Sequence, residues 1–119
     1  YRDRVLKEFI SEKDLLEEDS FIFSESKEGL KFISAVISSW FRDIAMVKAC
    51  VSDSYLINLD KINELCGLRE KFSYDELGDI VKEAQDTRYS IERNVSPKMA
   101  FNNLKLKIAD RLVPRQRKT

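Results

Sequence analysis

Hydrophobic residues recur at steps of three or four positions along most of the chain. Because about 3.6 residues make one helical turn, this spacing places apolar side chains on one face of an α-helix. The longest series predicts a central buried helix, formed by Leu30, Ile33, Ile37, Trp40, Phe41, Ile44, Val47 and Val51. Shorter series predict a first helix over residues 1–10 and a later one with an inner face of Leu77, Ile80, Val81, Ala84 and Ile91. We therefore expect an all-α fold, a single compact bundle of five to six helices that spans residues 1–119.

Polar residues mark where the later of these helices begins. Ser73 is followed three positions on by Glu76, the spacing of a capping box, in which each side chain binds the other residue's backbone N–H. Phe72 and Leu77 flank this pair and predict a hydrophobic staple at the same helix start. Before the central helix, residues 24–29 are predicted to form a short polar break.

Other parts of the chain carry weaker patterns. Asp60 is predicted to cap a short helix that bears Ile62, Leu65 and Cys66. Gly67 is expected just beyond the end of that helix, where a left-handed conformation favours glycine. Residues 12–24 have an imperfect helical period, because Phe21-Ile22-Phe23 is a continuous apolar triplet that also fits an extended segment. Both readings of residues 12–24 remain open.

The last helix has a well-specified start. Ser96 is a suitable N-cap, and Pro97 follows at the first helical position. Proline has no backbone N–H, which costs nothing there because an N–H at that position has no acceptor within the helix. An apolar stripe then runs to about Val113, before Pro114, and consists of Phe101, Leu104, Ile108 and Leu112. We also assign Met99 to the core of this helix.

Charge and composition narrow the possible functions. The 21 basic residues balance the 21 acidic ones, so the chain lacks the basic excess of a protein that binds mainly phosphates. Its end is locally basic, with Arg111, Arg115, Arg117 and Lys118, which fits either contact with nucleic acid or a simple helix end favoured by the helix dipole. No apolar run approaches the ~20 residues needed to span a bilayer.

The chain offers little catalytic chemistry. It contains no His, and its two cysteines, Cys50 and Cys66, cannot complete a structural zinc site, which usually needs four ligands. Its three glycines stand apart, so no phosphate-binding or dinucleotide-binding loop is present. We expect no catalytic, cofactor or metal site, although paired carboxylates such as Glu17 and Glu18 leave an acid–base role open. Two cysteines among apolar neighbours favour a reducing, cytoplasmic setting.

A few polar residues deserve testing as contacts. In the central helix, Trp40 and Phe41 are assigned to the core, whereas Arg42 and Asp43 are expected to leave the apolar stripe. Those two charges fit ordinary surface positions, a hydrogen-bonding role within the domain, or a subunit contact. Asn102 has weak helix propensity and is either exposed or hydrogen-bonded to a neighbouring element. The chain also begins without Met, directly in a helical pattern, which suggests a piece of a longer protein.

Three stretches resemble the C-terminal domain of the bacterial DNA polymerase III clamp-loader delta-prime subunit. They are Trp40-Phe41-Arg42-Asp43-Ile44, Asn58-Leu59-Asp60 and the stretch from Asn94 to Leu104. In that family a Trp-x-Arg-Asp helix is followed by Asn-x-Asp, a short helix, and a final helix with Asn-x-Asn-x-Lys-Leu-Ala-Leu-Glu-x-Leu. The order and spacing agree from about Leu30 to Ile108. The related tau/gamma subunit has a comparable helical domain, but Trp-Phe-Arg-Asp is more similar to delta-prime.

The resemblance implies a role in subunit assembly. In the family, helical domains of five subunits form a circular collar, and nucleotide-binding modules elsewhere open the sliding clamp and load it on DNA. The implied partners are the tau/gamma and delta subunits, with DNA contacted only indirectly, no membrane and no cofactor. It singles out Arg42, Asp43, Asn94, Lys98 and Asn102 as polar interface or structural positions, and Trp40, Phe41, Pro97, Phe101 and Leu104 as core.

Departures from the family pattern limit what transfers. Ser96 stands where the family often has Asn, and Met99 and Phe101 replace leucines, exchanges that keep the apolar stripe. Asn102 stands where Glu is usual, so a contact that needs that carboxylate does not carry over. The alternatives are a free-standing helical adaptor, a tau/gamma-type domain, or a nucleic-acid-binding domain that uses the basic tail.

Overall fold

The computed structural model of the protein describes residues 2–10 and 25–112, with side chains for residues 2–7 and 25–109. This part of the chain contains five α-helices and no strand, which confirms the all-α class. The helices are α1 (Arg2–Ile10), α2 (Lys27–Lys48), α3 (Ile62–Leu68), α4 (Tyr74–Glu92) and α5 (Pro97–Leu112). The predictions for residues 11–24, for the helix end at Val113 and Pro114, and for the tail residues Arg115, Arg117 and Lys118 lie outside the described residues.

The central helix predicted from the apolar stripe is α2. It packs chiefly against α4, which in turn packs against α5, while α1 contacts both α2 and α5. The core between them holds side chains with almost no exposed surface, including Ile33, Ile37, Phe41, Ile44, Leu77, Ile80, Phe101, Leu104 and Ile108. Each such side chain contributes roughly 1.5–3 kcal/mol through burial, so the stripes named above stabilise the bundle.

Side-chain caps determine where the helices begin. The Ser73 N–H donates to Glu76 Oε1 (2.9 Å) and the Glu76 N–H donates to Ser73 Oγ (3.1 Å), so the predicted capping box is confirmed. Ser96 Oγ accepts from the Met99 N–H (3.5 Å), and α5 begins at Pro97 as expected. The predicted break over 24–29 is too long, because Ser26 caps α2 and Gly29 already lies in its first turn.

Two helices end with a left-handed residue in a Schellman motif. After α2, Cys50 has φ 59°, its N–H donates to Val47 O, and the Val51 N–H donates to Met46 O. Val51 therefore lies beyond α2 and not within it. After α4, Asn94 has φ 62°, with matching bonds from Asn94 N–H to Ile91 O and from Val95 N–H to Ser90 O. These bonds satisfy the last carbonyls of both helices.

The short helix differs from its prediction at both ends. Asp60 lies in a 3₁₀ turn, Leu59–Lys61, and its side chain does not cap α3. Instead, Asp60 forms an ion pair with Arg2. Gly67 lies inside α3 with a negative φ, because a second 3₁₀ turn, Arg69–Lys71, continues the chain beyond the helix without a left-handed residue.

Replacing Cys50 with glycine should stabilise the protein. A non-glycine residue in the left-handed region costs about 1–2 kcal/mol, and glycine avoids this cost. Glycine also loses more conformational freedom on folding, which offsets roughly 0.5–1 kcal/mol of the gain. We expect Cys50→Gly to raise the free energy of unfolding by about 0.5–1 kcal/mol in urea titrations. Cys50→Ala keeps the Cβ atom and removes the thiol, so it is the matched control and should give no such gain. Equal gains in both variants would contradict the conformational explanation.

Candidate functional site

Asp43 is the most unusual of the predicted polar residues, because its carboxylate is 0% exposed within α2. Of the alternatives predicted for Asp43, an ordinary surface position is therefore wrong. The loop after α2 folds back over this side of the helix and supplies hydrogen-bond donors. Asp43 Oδ2 accepts from the Asn58 N–H (2.6 Å) and from Asn58 Nδ2 (2.8 Å), and Asp43 Oδ1 accepts from the Ile57 N–H (3.2 Å).

Arg42 completes the surroundings of this carboxylate. Its Nη1 donates to Asp43 Oδ1 (3.0 Å) while its side chain stays 42% exposed, and its Nη2 donates to the Tyr55 carbonyl (3.4 Å). Burying a charge without partners is costly, but here both oxygens accept hydrogen bonds and one meets a guanidinium. Arg42 and Asp43 thus act together within the domain, where they hold the loop after α2 against that helix.

The first helix is joined to the same loop. Arg2 Nη1 donates to Asn58 Oδ1 (3.3 Å), and the Arg2 guanidinium binds both carboxylate oxygens of Asp60 (2.9 and 2.7 Å). Asn58 therefore donates to Asp43 with its amide nitrogen and accepts from Arg2 with its amide oxygen. We call Arg2, Arg42, Asp43, Asn58 and Asp60 the Asp43 network.

Sequence reasoning assigned no role to Arg2, and treated Asn58 only as part of a resemblance. The local sequence around Arg2 carries no signal for its pairing, since Asn58 and Asp60 lie 56 and 58 residues further on. For Asn58 the available signal was the Asn-x-Asp spacing after the central helix.

Arg2 also changes the acidity of its partner. Its hydrogen bonds to the Asp60 carboxylate lower the pKa of Asp60 below the ordinary value of 3.8, and its positive charge acts in the same direction. The same pairing raises the pKa of Arg2, chiefly through the hydrogen bond to Asp60. The Asp60 carboxylate is thus ionised in the folded protein at all but strongly acidic pH.

The Arg2–Asp60 pair predicts a particular pH dependence of stability. Because the pKa of Asp60 is lower in the folded than in the unfolded state, the pair stabilises the fold fully above pH 3.8. This contribution is lost as the pH falls below that value through the folded pKa. The free energy of unfolding of the wild type should therefore exceed that of Arg2→Gln near neutral pH, and the difference should shrink on acidification.

Urea titrations over a pH series would measure this difference. Lys7→Gln is the matched control, since it removes a cation from an exposed position of the same helix. A difference between wild type and Arg2→Gln that is independent of pH would mean that Arg2 acts through packing or its hydrogen bond to Asn58, and not through the Asp60 carboxylate.

Asn94 has a structural task at the end of α4. Besides its left-handed backbone, its Oδ1 accepts from Lys27 Nζ (3.4 Å), which also donates to the Glu92 carbonyl (3.2 Å). The link between α4 and α5 is thereby tied to the first turn of α2. Lys98, the other candidate in this region, is exposed at the first turn of α5.

The residues predicted for the core of α5 divide into two groups. Phe101 and Leu104 are fully buried, and Pro97 is half-buried. Met99 is 55% exposed, so its assignment to the core is wrong. On a helix it points away from Phe101 and shares an outer face with Leu106, which is also exposed.

Two buried polar atoms have no hydrogen-bond partner among the described residues: Trp40 Nε1 and Asn102 Oδ1. Trp40 lies in the core as predicted, together with Phe41. Asn102 is only 7% exposed, so of the two predicted alternatives simple exposure is wrong. Lys105, one turn further on, is also buried, although nothing in the local pattern indicated it.

The described residues contain no group of three or more His, Cys, Asp or Glu side chains that could hold a metal ion. Within the same ranges, no helix combines the length and apolar character that crossing a membrane requires. The candidate carboxylates Glu17 and Glu18 lie outside the described ranges. The Asp43 network instead forms a hydrogen-bonded joint between α1, α2 and the loop that follows α2.

Comparisons of the chain with protein-family models, curated proteins and solved structures found no match.

Proposed function

We propose that this chain is the helical assembly domain of a delta-prime-like subunit of a bacterial DNA polymerase III clamp loader. The observation that carries the proposal is the contact between two of the stretches that resemble that family. Asp43, at the end of Trp-Phe-Arg-Asp, accepts hydrogen bonds from Asn58, which begins Asn-Leu-Asp. Residues that resemble the family thus hold the loop after α2 against that helix. Such a contact supports a common fold more strongly than scattered similar positions would.

The third stretch adds to this support. Ser96 and Pro97 begin α5, and Phe101 and Leu104 enter the same core as α2. The proposed role is to hold subunits together in a collar, with the tau/gamma and delta subunits as neighbours, in the cytoplasm. ATP would be bound and hydrolysed by other modules of the loader, and no catalytic residue is assigned to this domain.

Reconstitution with purified loader subunits tests this function. The protein is mixed with tau/gamma and delta subunits, and the mass of the complexes is measured by light scattering after size-exclusion chromatography. We expect a stable complex that contains one copy of this chain. Circular dichroism of the protein alone verifies that it is folded, and a folded protein that joins no complex would refute the proposal.

Competition separates the proposal from its closest alternative. An excess of this chain should displace the delta-prime subunit from a preassembled loader. Displacement of tau/gamma subunits would instead support a tau/gamma-type domain. A free-standing adaptor predicts displacement of neither subunit.

A further inference from the structure

A long trough follows the outer side of α4, beside α2. It consists of three depressions with volumes of about 380, 210 and 470 Å³. Residues of both helices line the first two, and residues of α4 line the third. The first and second share Ser38, Arg42 and Gln85, and the second and third share Gln85 and Arg88, so the depressions adjoin one another. The trough runs beside α4 from Tyr74 to Glu92, a length of about 27 Å at 1.5 Å per residue. This shape suits a chain segment that lies along it.

Both helices contribute small residues to the lining of the trough. α2 contributes Ala35, Ser38 and Ser39, and α4 contributes Gly78 at one end. A Cβ atom added to Gly78 would meet nothing within 4 Å, so the groove at this point is open down to the backbone of α4. Small residues on facing helices let a further helix approach closely and bury its side chains.

The charges in the trough favour an acidic occupant. Its charged lining residues are Arg42, Lys82, Arg88 and Glu92. Lys82 is neutralised by Asp86 (3.1 Å), and Arg42 by the buried Asp43. Glu92 is neutralised by Lys31 (3.4 Å). Arg88 lines two of the depressions and forms no ion pair with any residue that the structure describes. A guanidinium in this position is suited to binding a carboxylate through two parallel hydrogen bonds.

Exposed tyrosines stand at both ends of the trough. Tyr74 lines the first depression and Tyr89 the third, and more than half of each residue's surface is exposed. Tyrosine and arginine are enriched where proteins bind one another, because they combine a large apolar area with hydrogen-bonding groups. The trough therefore has the composition of a protein-binding surface.

We propose that the trough between α2 and α4 is the docking site for an amphipathic helix of the neighbouring loader subunit. The docked helix presents small or aliphatic residues to Ser38 and Gly78, and places an Asp or Glu carboxylate on Arg88. This is the helix-in-groove mode of recognition. The inference rests on the proposed function, because the occupant is a subunit of that assembly.

Charge reversal tests the contact with Arg88. In the reconstitution with tau/gamma and delta subunits, Arg88→Glu should weaken association by at least about tenfold, since it replaces an attraction with a repulsion. Lys71→Glu makes the same change in net charge at an exposed position outside the trough, and should alter association by less than about twofold. Fluorescence anisotropy of the labelled protein provides the dissociation constants.

A pair of glycine substitutions tests the shape of the trough. Gly67 and Gly78 are both helical and both have open space where a Cβ atom would stand, but only Gly78 lines the trough. Glutamine at either position should stabilise the isolated protein, because glutamine is a better helix former than glycine. Gly78→Gln should nevertheless weaken association by about tenfold or more, and Gly67→Gln should leave it unchanged.

The outcomes separate the two proposals. If the wild type joins no complex, the proposed function falls and this inference falls with it. If the wild type joins the complex but Arg88→Glu and Gly78→Gln bind equally well, the docking site is refuted while the proposed function stands. Equal weakening by Lys71→Glu would also refute it, since general charge attraction would then explain the effect. A wild-type homodimer that Arg88→Glu abolishes would show that the occupant is a second copy of this chain, and would overturn the inference.

Discussion

Replacing Asp43 with alanine should lower the free energy of unfolding by about 3–5 kcal/mol. The substitution leaves the buried N–H and side-chain amide of Asn58, and the partly buried N–H of Ile57, without their acceptor. Each unsatisfied buried donor costs about 1–3 kcal/mol, because it has lost its bonds to water without replacing them. Arg42 loses its ion pair as well, although this side chain can turn to solvent.

Urea unfolding at neutral pH measures the effect, and Asp53→Ala is the matched control. Asp53 is an exposed aspartate in the same loop, and its substitution should change stability by less than about 0.5 kcal/mol. A double-mutant cycle with Asn58→Ala should show strong coupling, because the Asn58 amide donates a hydrogen bond to the Asp43 carboxylate. If Asp43→Ala destabilises the protein no more than Asp53→Ala does, the Asp43 network is not what holds the loop.

The regular parts of this fold were predictable because their signals are local. The apolar stripe of α2, the capping box at Ser73 and the start of α5 at Pro97 each depend on residues within a turn or two of one another. Such signals depend only on residues close together in the sequence, so a periodic pattern suffices to place the helix and its buried face.

The Asp43 network could not be derived in this way. A charged residue next to an apolar stripe is ordinarily solvated, and it is buried here only because the loop around Asn58 supplies donors. Asp60 lies where the sequence predicts a helix cap, but its carboxylate accepts hydrogen bonds from Arg2 of α1 instead. In both cases partners distant in sequence decide the conformation, and local propensity cannot report them.

Two smaller errors have local causes. Gly67 was expected to end a helix, but the following 3₁₀ turn continues the chain without a left-handed residue, whereas Cys50 takes that conformation at the end of α2. Met99 was assigned to the core because it is apolar, although it lies on the face of α5 opposite Phe101. Composition alone does not say which face of a helix is covered.

These findings also clarify what the resemblance to delta-prime means. Several of the residues that carry it are buried within this domain, among them Trp40, Phe41, Asp43 and Asn58. Contact with another subunit is better sought on exposed surfaces that those residues hold in place. The trough between α2 and α4 is such a surface, since Arg42 connects its lining to the Asp43 network.

Replacing Phe41 with alanine should lower the free energy of unfolding by about 3–5 kcal/mol, comparable to the loss of Asp43. Phe41 is almost completely buried in α2, and its ring meets that of Phe72 edge-on, with centroids 5.5 Å apart and an interplanar angle of 84°. Phe72 immediately precedes the capping box of α4, so this pair joins the central helix to the start of the helix against which it packs most extensively.

The fluorescence of Trp40 reports this change, because it is the only tryptophan in the chain and is buried beside Phe41 in α2. Phe41→Leu should cost less than the alanine variant, since it leaves a smaller cavity. Leu106→Ala, at an exposed position of α5, should alter stability by no more than about 0.5 kcal/mol. In a double-mutant cycle, Phe41→Ala and Phe72→Ala should show a coupling of about 0.5–1.5 kcal/mol from the ring contact. Additive losses would mean that each ring stabilises its own helix separately, and that the start of α4 does not depend on Phe41.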